Sequence, residues 1–183
     1  GRGLITDESP LDELRQYVKP LESRRMGKLM KSALLASLKA LEQAGIETPD
    51  AIITATSLGC WENSERLLQQ LDEEGETMLK QTLFMQSTHN TIGSRIAIKT
   101  HCHGYNATYA HGADSLKWAL TDASLLLNSG RAKTVLVGLH DESTPLYNSI
   151  QTRLGNKALS PVYSLALVLK SPLPTSPRRG DER

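Results

Sequence analysis

The chain has 183 residues, a formal net charge of +1 and two cysteines. This length is typical of one domain with a sizeable core, and the near-neutral charge predicts neither a nucleic-acid nor a membrane partner. No apolar run approaches the roughly 20 residues that span a bilayer, no secretory signal opens the chain, and two cysteines give no disulfide framework. A reducing cytoplasm is therefore the default expectation, and a first residue that is Gly suggests a processed, tagged or excerpted piece.

The chain is predicted to begin with an irregular segment over residues 1–23, interrupted by one short helix at Leu11–Val18. A strongly amphipathic helix is predicted to follow over Arg24–Ala44, where Gly45 ends it. Its apolar residues recur at three- and four-residue steps, as a buried helix face requires. They are Met26, Leu29, Met30, Ala33, Leu34, Leu38 and Leu41.

The next segments alternate between strand and helix patterns. Ala51–Thr56 is a β-branched run that predicts a buried strand, and Glu62–Asp72 predicts a second helix. Thr91–Thr100 predicts a third helix, with Ser87 or Thr88 as the residue that caps its first turn.

Residues 104–139 predict a strand, a tight turn, a helix and a second strand. The strand covers Tyr105–Ala110, the turn covers residues 111–113, the helix covers about Asp114–Asn128, and the second strand covers Thr134–Leu139. Such a βαβ unit implies parallel strands, and it presents the turn at the carboxyl edge of the sheet, where open α/β sheets bind ligands.

The remaining residues complete an α/β prediction. Residues 140–157 are predicted to be an irregular surface excursion, Leu159–Leu169 a buried strand, and residues 171–183 a disordered tail. The pattern favours helices layered on a mostly parallel sheet, in one domain over residues 24–170.

Several short strings, in order and with almost no gaps, resemble the N-terminal half of the thiolase fold in its β-ketoacyl synthase branch. The similarity covers residues 24–170. The strings are Ser23–Met26, Ala51–Gly59, Asn90–Ile98, Gly104–Thr108, Ser129–Gly138 and Ser164–Leu169.

The resemblance implies a chain that has lost its nucleophile. Ketosynthases carry a catalytic Cys in a turn that aligns without gaps with His111-Gly112-Ala113, so the nucleophile position holds Ala113. Asp114 then adds a negative charge at the helix start, where the dipole would otherwise stabilise a thiolate. The two histidines that the family takes from its C-terminal half lie outside this sequence.

The resemblance therefore implies a non-catalytic subunit similar to chain-length factors, without a cofactor or a metal. It would support a partner ketosynthase or an acyl carrier protein in type II fatty-acid, aryl-polyene or polyketide synthesis, as a homo- or heterodimer. In this fold, the strand that corresponds to Tyr105–Ala110 pairs antiparallel with its twin across a two-fold axis, which covers an exposed sheet edge.

A second hypothesis is an acid/base enzyme that acts on acyl thioesters. His111 and Asp114, with His89, would form its site at the carboxyl edge, and the alternative reading of His111 is a turn residue that binds the helix start. Cys102 lies between His101 and His103, which suggests a metal site or a Cys102 nucleophile with a neighbouring base. The alternative is a helix end where the dipole favours histidine. Only alternate residues of that triplet are expected to share a ligand.

Seven further polar residues are candidates for a pocket or an interface. Those before the third helix have ordinary capping as their alternative, and those after the Thr134–Leu139 strand have a solvated loop as theirs. They are Ser87, Asn90, Tyr105, Tyr109, Ser115, His140 and Asp141.

Overall fold

One sheet organises the residues that the computed structural model describes, which are 1–24, 26–76 and 79–171. Its strand order is β1-β5-β4-β2-β3. The strands are β1 (Arg2–Thr6), β2 (Ala51–Ala55), β3 (Tyr105–Tyr109), β4 (Thr134–Glu142) and β5 (Val162–Lys170). The helices are α1 (Pro20–Ser23), α2 (Lys28–Ala44), α3 (Trp61–Glu74), α4 (Gln81–Ser87), α5 (Thr91–Thr100), α6 (Ser115–Asn128) and α7 (Pro145–Arg153).

The sheet is mixed rather than mostly parallel. Strand β2 pairs in parallel with both β3 and β4, so that Ala51 lies beside Tyr105 on one side and Val135 on the other. Strand β5 pairs antiparallel with β4 and with β1. The predicted α/β class with layered helices is confirmed, and its parallel part is limited to β3, β2 and β4.

Two apolar clusters fill the two faces of the sheet. The cluster on one face joins Ile52 and Leu136 to α2 and α5, and the cluster on the other face joins Ile53 and Val137 to α6. Because successive side chains of a strand point to opposite faces, the continuous apolar run of β2 supplies both clusters at once.

The predicted βαβ unit over residues 104–139 is confirmed. A 3-10 helix over Gly112–Asp114 connects β3 to α6. Helix α6 buries Ala119, Ala123 and Leu126 against the sheet, as its three- and four-residue spacing requires. It ends before Gly130, whose φ of 69° lies in the left-handed region that glycine tolerates best.

The predicted helix over Arg24–Ala44 is confirmed in its body but begins four residues later, at Lys28. The short helix α1 ends at Ser23, and Gly27 precedes α2 in an extended conformation. The helices predicted at Glu62–Asp72 and Thr91–Thr100 are confirmed as α3 and α5.

The prediction of an irregular segment over residues 1–23 is wrong for β1, which adds a fifth strand beside β5. A 3-10 helix also forms at Leu11–Gln16, close to the short helix predicted there. Strand β1 buries only Gly3 and Ile5. A side chain at Gly3 would collide with the backbone of Ala36 in α2. Strand β1 therefore packs closely against α2 because Gly3 has no side chain.

The prediction of an irregular excursion over residues 140–157 is also wrong. Strand β4 continues through Glu142, because β5 pairs with it to that residue, and α7 follows. Thr144 caps α7 by accepting the N–H of Tyr147, and Pro145 occupies its first position. Helix α4 is an element that the sequence pattern did not predict.

No helix within residues 1–24, 26–76 and 79–171 is both long and apolar enough to cross a bilayer. The predicted disordered tail over residues 171–183 lies outside the described residues, apart from Ser171.

Candidate functional site

The carboxyl ends of β2, β3 and β4 meet around the carboxylate of Asp141. Its Oδ1 accepts the Thr56 hydroxyl at 2.7 Å and the backbone N–H groups of Ser57 at 2.8 Å and Leu58 at 2.9 Å. The Thr56 oxygen in turn accepts the N–H of Gly59 at 2.7 Å. Asp141 therefore fixes the loop after β2, a positioning role that differs from the solvated loop considered for this segment.

A second set of hydrogen bonds ties that loop to the turn before α6. The Ser57 hydroxyl donates to the carbonyl of Gly112 at 2.9 Å. The fully buried Ser115 hydroxyl accepts the N–H of His111 at 2.8 Å and lies 2.8 Å from the carbonyl oxygens of Thr56 and Gly112. Ser115 thus holds the turn in place.

Ala113 lies in this turn, exposed, one residue before Asp114, the N-cap of α6. Both thiols of the chain are buried and unpaired elsewhere. Cys102 lies before β3, at the opposite end of that strand from the turn. Cys60 lies in the loop after β2, and burial raises the pKa of its thiol to about 12, which keeps it protonated. Neither cysteine stands at the entrance of α6.

The structure does not join His111, Asp114 and His89 into an acid/base site. Within the described part of the chain, no hydrogen bond or ion pair links their side chains. Instead, the His111 ring lies 6.1 Å from the ring of Tyr109 and 6.4 Å from that of Trp118. The His89 ring packs over the backbone of Gly59. Each imidazole contacts a different surface.

The segment before α5 does not cap that helix as predicted. Asn90 occupies the N-cap position without a side-chain hydrogen bond. The Ser87 hydroxyl donates to the carbonyl of Phe84 at 2.8 Å, and the hydroxyl groups of Thr88 and Thr91 lie 2.8 Å apart. A pocket or interface role for Ser87 and Asn90 stays a prediction.

Tyr105 and Tyr109 lie on the α6 side of the edge strand β3. The Tyr105 hydroxyl donates to Oδ2 of Asp122 at 2.9 Å, and this hydrogen bond raises the pKa of the phenol. Desolvation, followed by its interaction with Asp122, raises the pKa of Tyr109 to about 12. The two phenols are therefore neutral hydrogen-bonding groups beside the free edge of the sheet.

His140 is a core residue rather than part of a pocket rim. It is 1% exposed, and its ring covers the backbone of Gly138, where a side chain would collide with it. It lies opposite Ser164 in β5. Among the described residues, neither ring nitrogen has a hydrogen-bond partner. Burial lowers the pKa of this imidazole to about 3, so it is neutral.

Glu142 falls in the segment predicted to be an irregular surface excursion, and the structure gives it a more specific position. It is 5% exposed, and its Oε1 accepts the N–H of Glu62, at the start of α3, at 3.0 Å. Burial raises the pKa of this carboxyl to about 7. It lines a cavity of about 460 Å³ with Lys28, Arg66 and Thr144. An acidic residue directly after an apolar strand was the available signal.

The triplet around Cys102 follows the predicted alternation. His101 and His103 line one cleft, whereas Cys102 packs into the apolar cluster beside α2. His101 ends α5 in a left-handed conformation, with φ of 53°. No group of three or more potential metal ligands occurs within the described residues.

A sheet with layered helices on both faces, and a turn–helix entrance at its carboxyl edge, define a thiolase-like half-domain. The family profile described as "Beta-ketoacyl synthase, N-terminal domain" matches residues 5–179. The chain therefore belongs to the β-ketoacyl synthase N-terminal domain family. No curated protein matches it.

Solved structures share this fold. One is a chain from the complex of a ketosynthase (ApeO) with its chain length factor (ApeC) from Xenorhabdus doucetiae, at 19% identity and a TM-score of 0.74, over 93% of this chain and 77% of that one. Another is from the ishigamide ketosynthase/chain length factor, at 21% identity and a TM-score of 0.71, over 87% of this chain and 48% of that one. A third is a β-ketoacyl synthase from Burkholderia phymatum STM815, at 17% identity and a TM-score of 0.68, over 85% of this chain and 44% of that one. The chain thus spans about half of the last two.

Proposed function

We propose that this chain is a non-catalytic, chain-length-factor-like subunit. It pairs with a catalytic ketosynthase, or serves an acyl carrier protein, during type II fatty-acid, aryl-polyene or polyketide assembly in the cytoplasm. It contributes shape and an interface, and its partner contributes the reacting thiol.

Ala113 carries the proposal. A condensing enzyme takes the acyl chain from a thioester onto a cysteine, which requires an accessible, activated thiol. The residue that the family resemblance aligns with that cysteine is an exposed Ala, at a turn held by Ser57 and Ser115. A methyl group cannot accept an acyl group, and the buried thiols of Cys60 and Cys102 do not replace it.

The free edge of β3 supports the interface. The Tyr109 carbonyl accepts the N–H of Thr56, so alternate residues from 105 to 109 direct their backbone groups toward β2. Asn106 and Thr108 consequently direct their N–H and carbonyl groups outward, away from the sheet. Such a row is a template for pairing with another strand. The likeness to chains from ketosynthase/chain length factor complexes is consistent with that use.

Intact-mass spectrometry with a ketosynthase partner tests the proposal. The chain, a catalytic ketosynthase and their 1:1 mixture are each incubated with an acyl-carrier thioester. We expect an acyl adduct on the ketosynthase alone, and a stable complex of the two proteins by light scattering. The absence of any complex with either a ketosynthase or a carrier protein would contradict the supporting role.

A further inference from the structure

A second cleft lies at the amino-terminal edge of the sheet, at the opposite end of β2 and β3 from the turn that carries Ala113. Its volume is about 500 Å³, which is within the range of small-molecule sites. The residues that line it include His101, His103, Tyr105, Leu126, Arg131 and Ala132. None of them belongs to the hydrogen-bond network around Asp141 and Ser115.

The rim of this cleft is basic and its floor is apolar. His101, His103 and Arg131 are exposed, whereas Leu126 and Ala132 are 4% and 5% exposed. The guanidinium of Arg131 forms no ion pair with a carboxylate in the part of the chain that the structure describes. Its charge is therefore open to a ligand.

Asp50 also lines the cleft, and its carboxylate and that of Asp122 both accept hydrogen bonds from within the chain. Oδ2 of Asp50 accepts the N–H groups of Lys133 and Thr134, each at 2.9 Å, and the Thr134 hydroxyl at 3.0 Å. The carboxylate of Asp122 accepts the hydroxyl of Tyr105, which faces the cleft. Neither carboxylate forms an ion pair with Arg131 in the part of the chain that the structure describes.

The backbone at His101 indicates that its imidazole has a use. His101 is the only non-glycine residue with a positive φ among the described residues. The six other left-handed positions there are all glycine: Gly45, Gly59, Gly75, Gly112, Gly130 and Gly155. A side chain is unfavourable in this conformation, and glycine is the usual residue after a helix end. The chain therefore keeps an imidazole where glycine would be more stable.

We propose that this cleft binds a small organic phosphate. Arg131 pairs with the phosphate oxygens, and the rings of His101 and His103 donate N–H groups to them. Three donor side chains in one cleft suit a group with three terminal oxygens, and charge-assisted hydrogen bonds of this kind are the strong ones. The organic part of the ligand lies on Leu126 and Ala132, beside the Tyr105 ring.

Calorimetric titration of the whole chain with phenyl phosphate tests the site. We expect saturable binding with a Kd on the order of 1 mM, and weaker binding of inorganic phosphate, which cannot use the apolar floor. Arg131→Gln is expected to weaken phenyl phosphate binding about tenfold. The matched control is Arg153→Gln on α7, an exposed arginine outside the cleft, which should bind as the unmodified chain does.

His101→Gly separates ligand binding from folding. Because glycine suits the left-handed position, the variant is expected to raise Tm by about 2–4 °C while it weakens phenyl phosphate binding several-fold. The proposal is overturned if the unmodified chain shows no saturable binding, if Arg131→Gln and Arg153→Gln bind equally well, or if His101→Gly binds as tightly as the unmodified chain.

Discussion

One carboxylate oxygen of Asp141 accepts three hydrogen bonds, so the loss of this side chain should lower the stability of the fold. Asp141→Ala leaves the Thr56 hydroxyl and the N–H groups of Ser57 and Leu58 without their partner. We expect the free energy of unfolding, measured in urea, to fall by about 2–4 kcal/mol. Asp114→Ala is the control at the same edge, because Asp114 is exposed and makes no capping hydrogen bond. It should change the free energy by less than about 0.5 kcal/mol. Equal losses in both variants would contradict the positioning role of Asp141.

A cysteine at position 113 tests directly whether this turn is open at the entrance of α6. Ala113→Cys places a thiol at an exposed position, whereas the two native thiols are buried. Folded Ala113→Cys should react with one equivalent of iodoacetamide at least about tenfold faster than the unmodified chain, as read by intact mass. Equal rates would show that position 113 is not open at the entrance of α6.

Residue roles at this edge could be inferred only in part from the sequence. The turn around Ala113 and Ser115 follows from the apolar spacing of α6, which fixes where the helix begins. The prediction that His140 and Glu142 lie in an irregular surface segment is wrong, because polar side chains are typical of loops. Pairing with β5 buries both of them, and the backbone N–H of Glu62, at the start of α3, donates to the carboxylate of Glu142. Such long-range partners leave no mark in the local pattern.

Among the elements, the edge strand β3 is predicted to form the interface with another chain, and a single substitution tests this. Thr108→Pro removes an outward N–H that β2 does not use, so the sheet of one chain should tolerate it. Pairing with another strand would lose that donor. Because Thr108 also lies 2.8 Å from the Thr54 hydroxyl, Thr108→Val is the control that loses this contact but keeps the N–H.

We expect the unmodified chain and Thr108→Val to form dimers, either with a second copy or with a ketosynthase, in analytical ultracentrifugation. Thr108→Pro should stay monomeric in both mixtures. Dimers of Thr108→Pro as stable as those of Thr108→Val would exclude β3 as the interface.

The elements that the sequence predicted are those with a strong local period. Helices α2, α5 and α6 and strand β2 bury apolar faces that the spacing reveals. Strand β1 was not predicted because it buries only Gly3 and Ile5. Its hydrogen-bonding partner is β5, which lies far along the chain. Helix α7 buries no residue, and Thr144-Pro145 was its sole signal.

At the scale of the whole molecule, two buried groups give opposite dependences of stability on pH. The pKa of His140 is lowered to about 3 in the folded state, so its contribution is present above about pH 6.5 and is lost as the pH falls toward 3. The pKa of Glu142 is raised to about 7, so its contribution is present below about pH 4.5 and is lost as the pH rises toward 7. The two slopes offset each other between about pH 4.5 and 6.5.

Glu142→Gln should expose the slope of His140. The amide keeps an oxygen that can accept the N–H of Glu62 but does not titrate. We expect the free energy of unfolding of this variant to rise with pH between 4.5 and 6.5, by up to about 1.4 kcal/mol per pH unit, whereas that of the unmodified chain changes little. His140→Leu should show the opposite slope. Parallel curves for all three proteins would contradict the assignment.

A non-catalytic subunit never carries the acyl group itself. Intact-mass spectrometry of an equimolar mixture with a catalytic ketosynthase, after incubation with an acyl-carrier thioester, tests it most directly. We expect an acyl adduct on the ketosynthase and an unchanged mass for this chain. A covalent acyl mass on this chain would contradict a non-catalytic role.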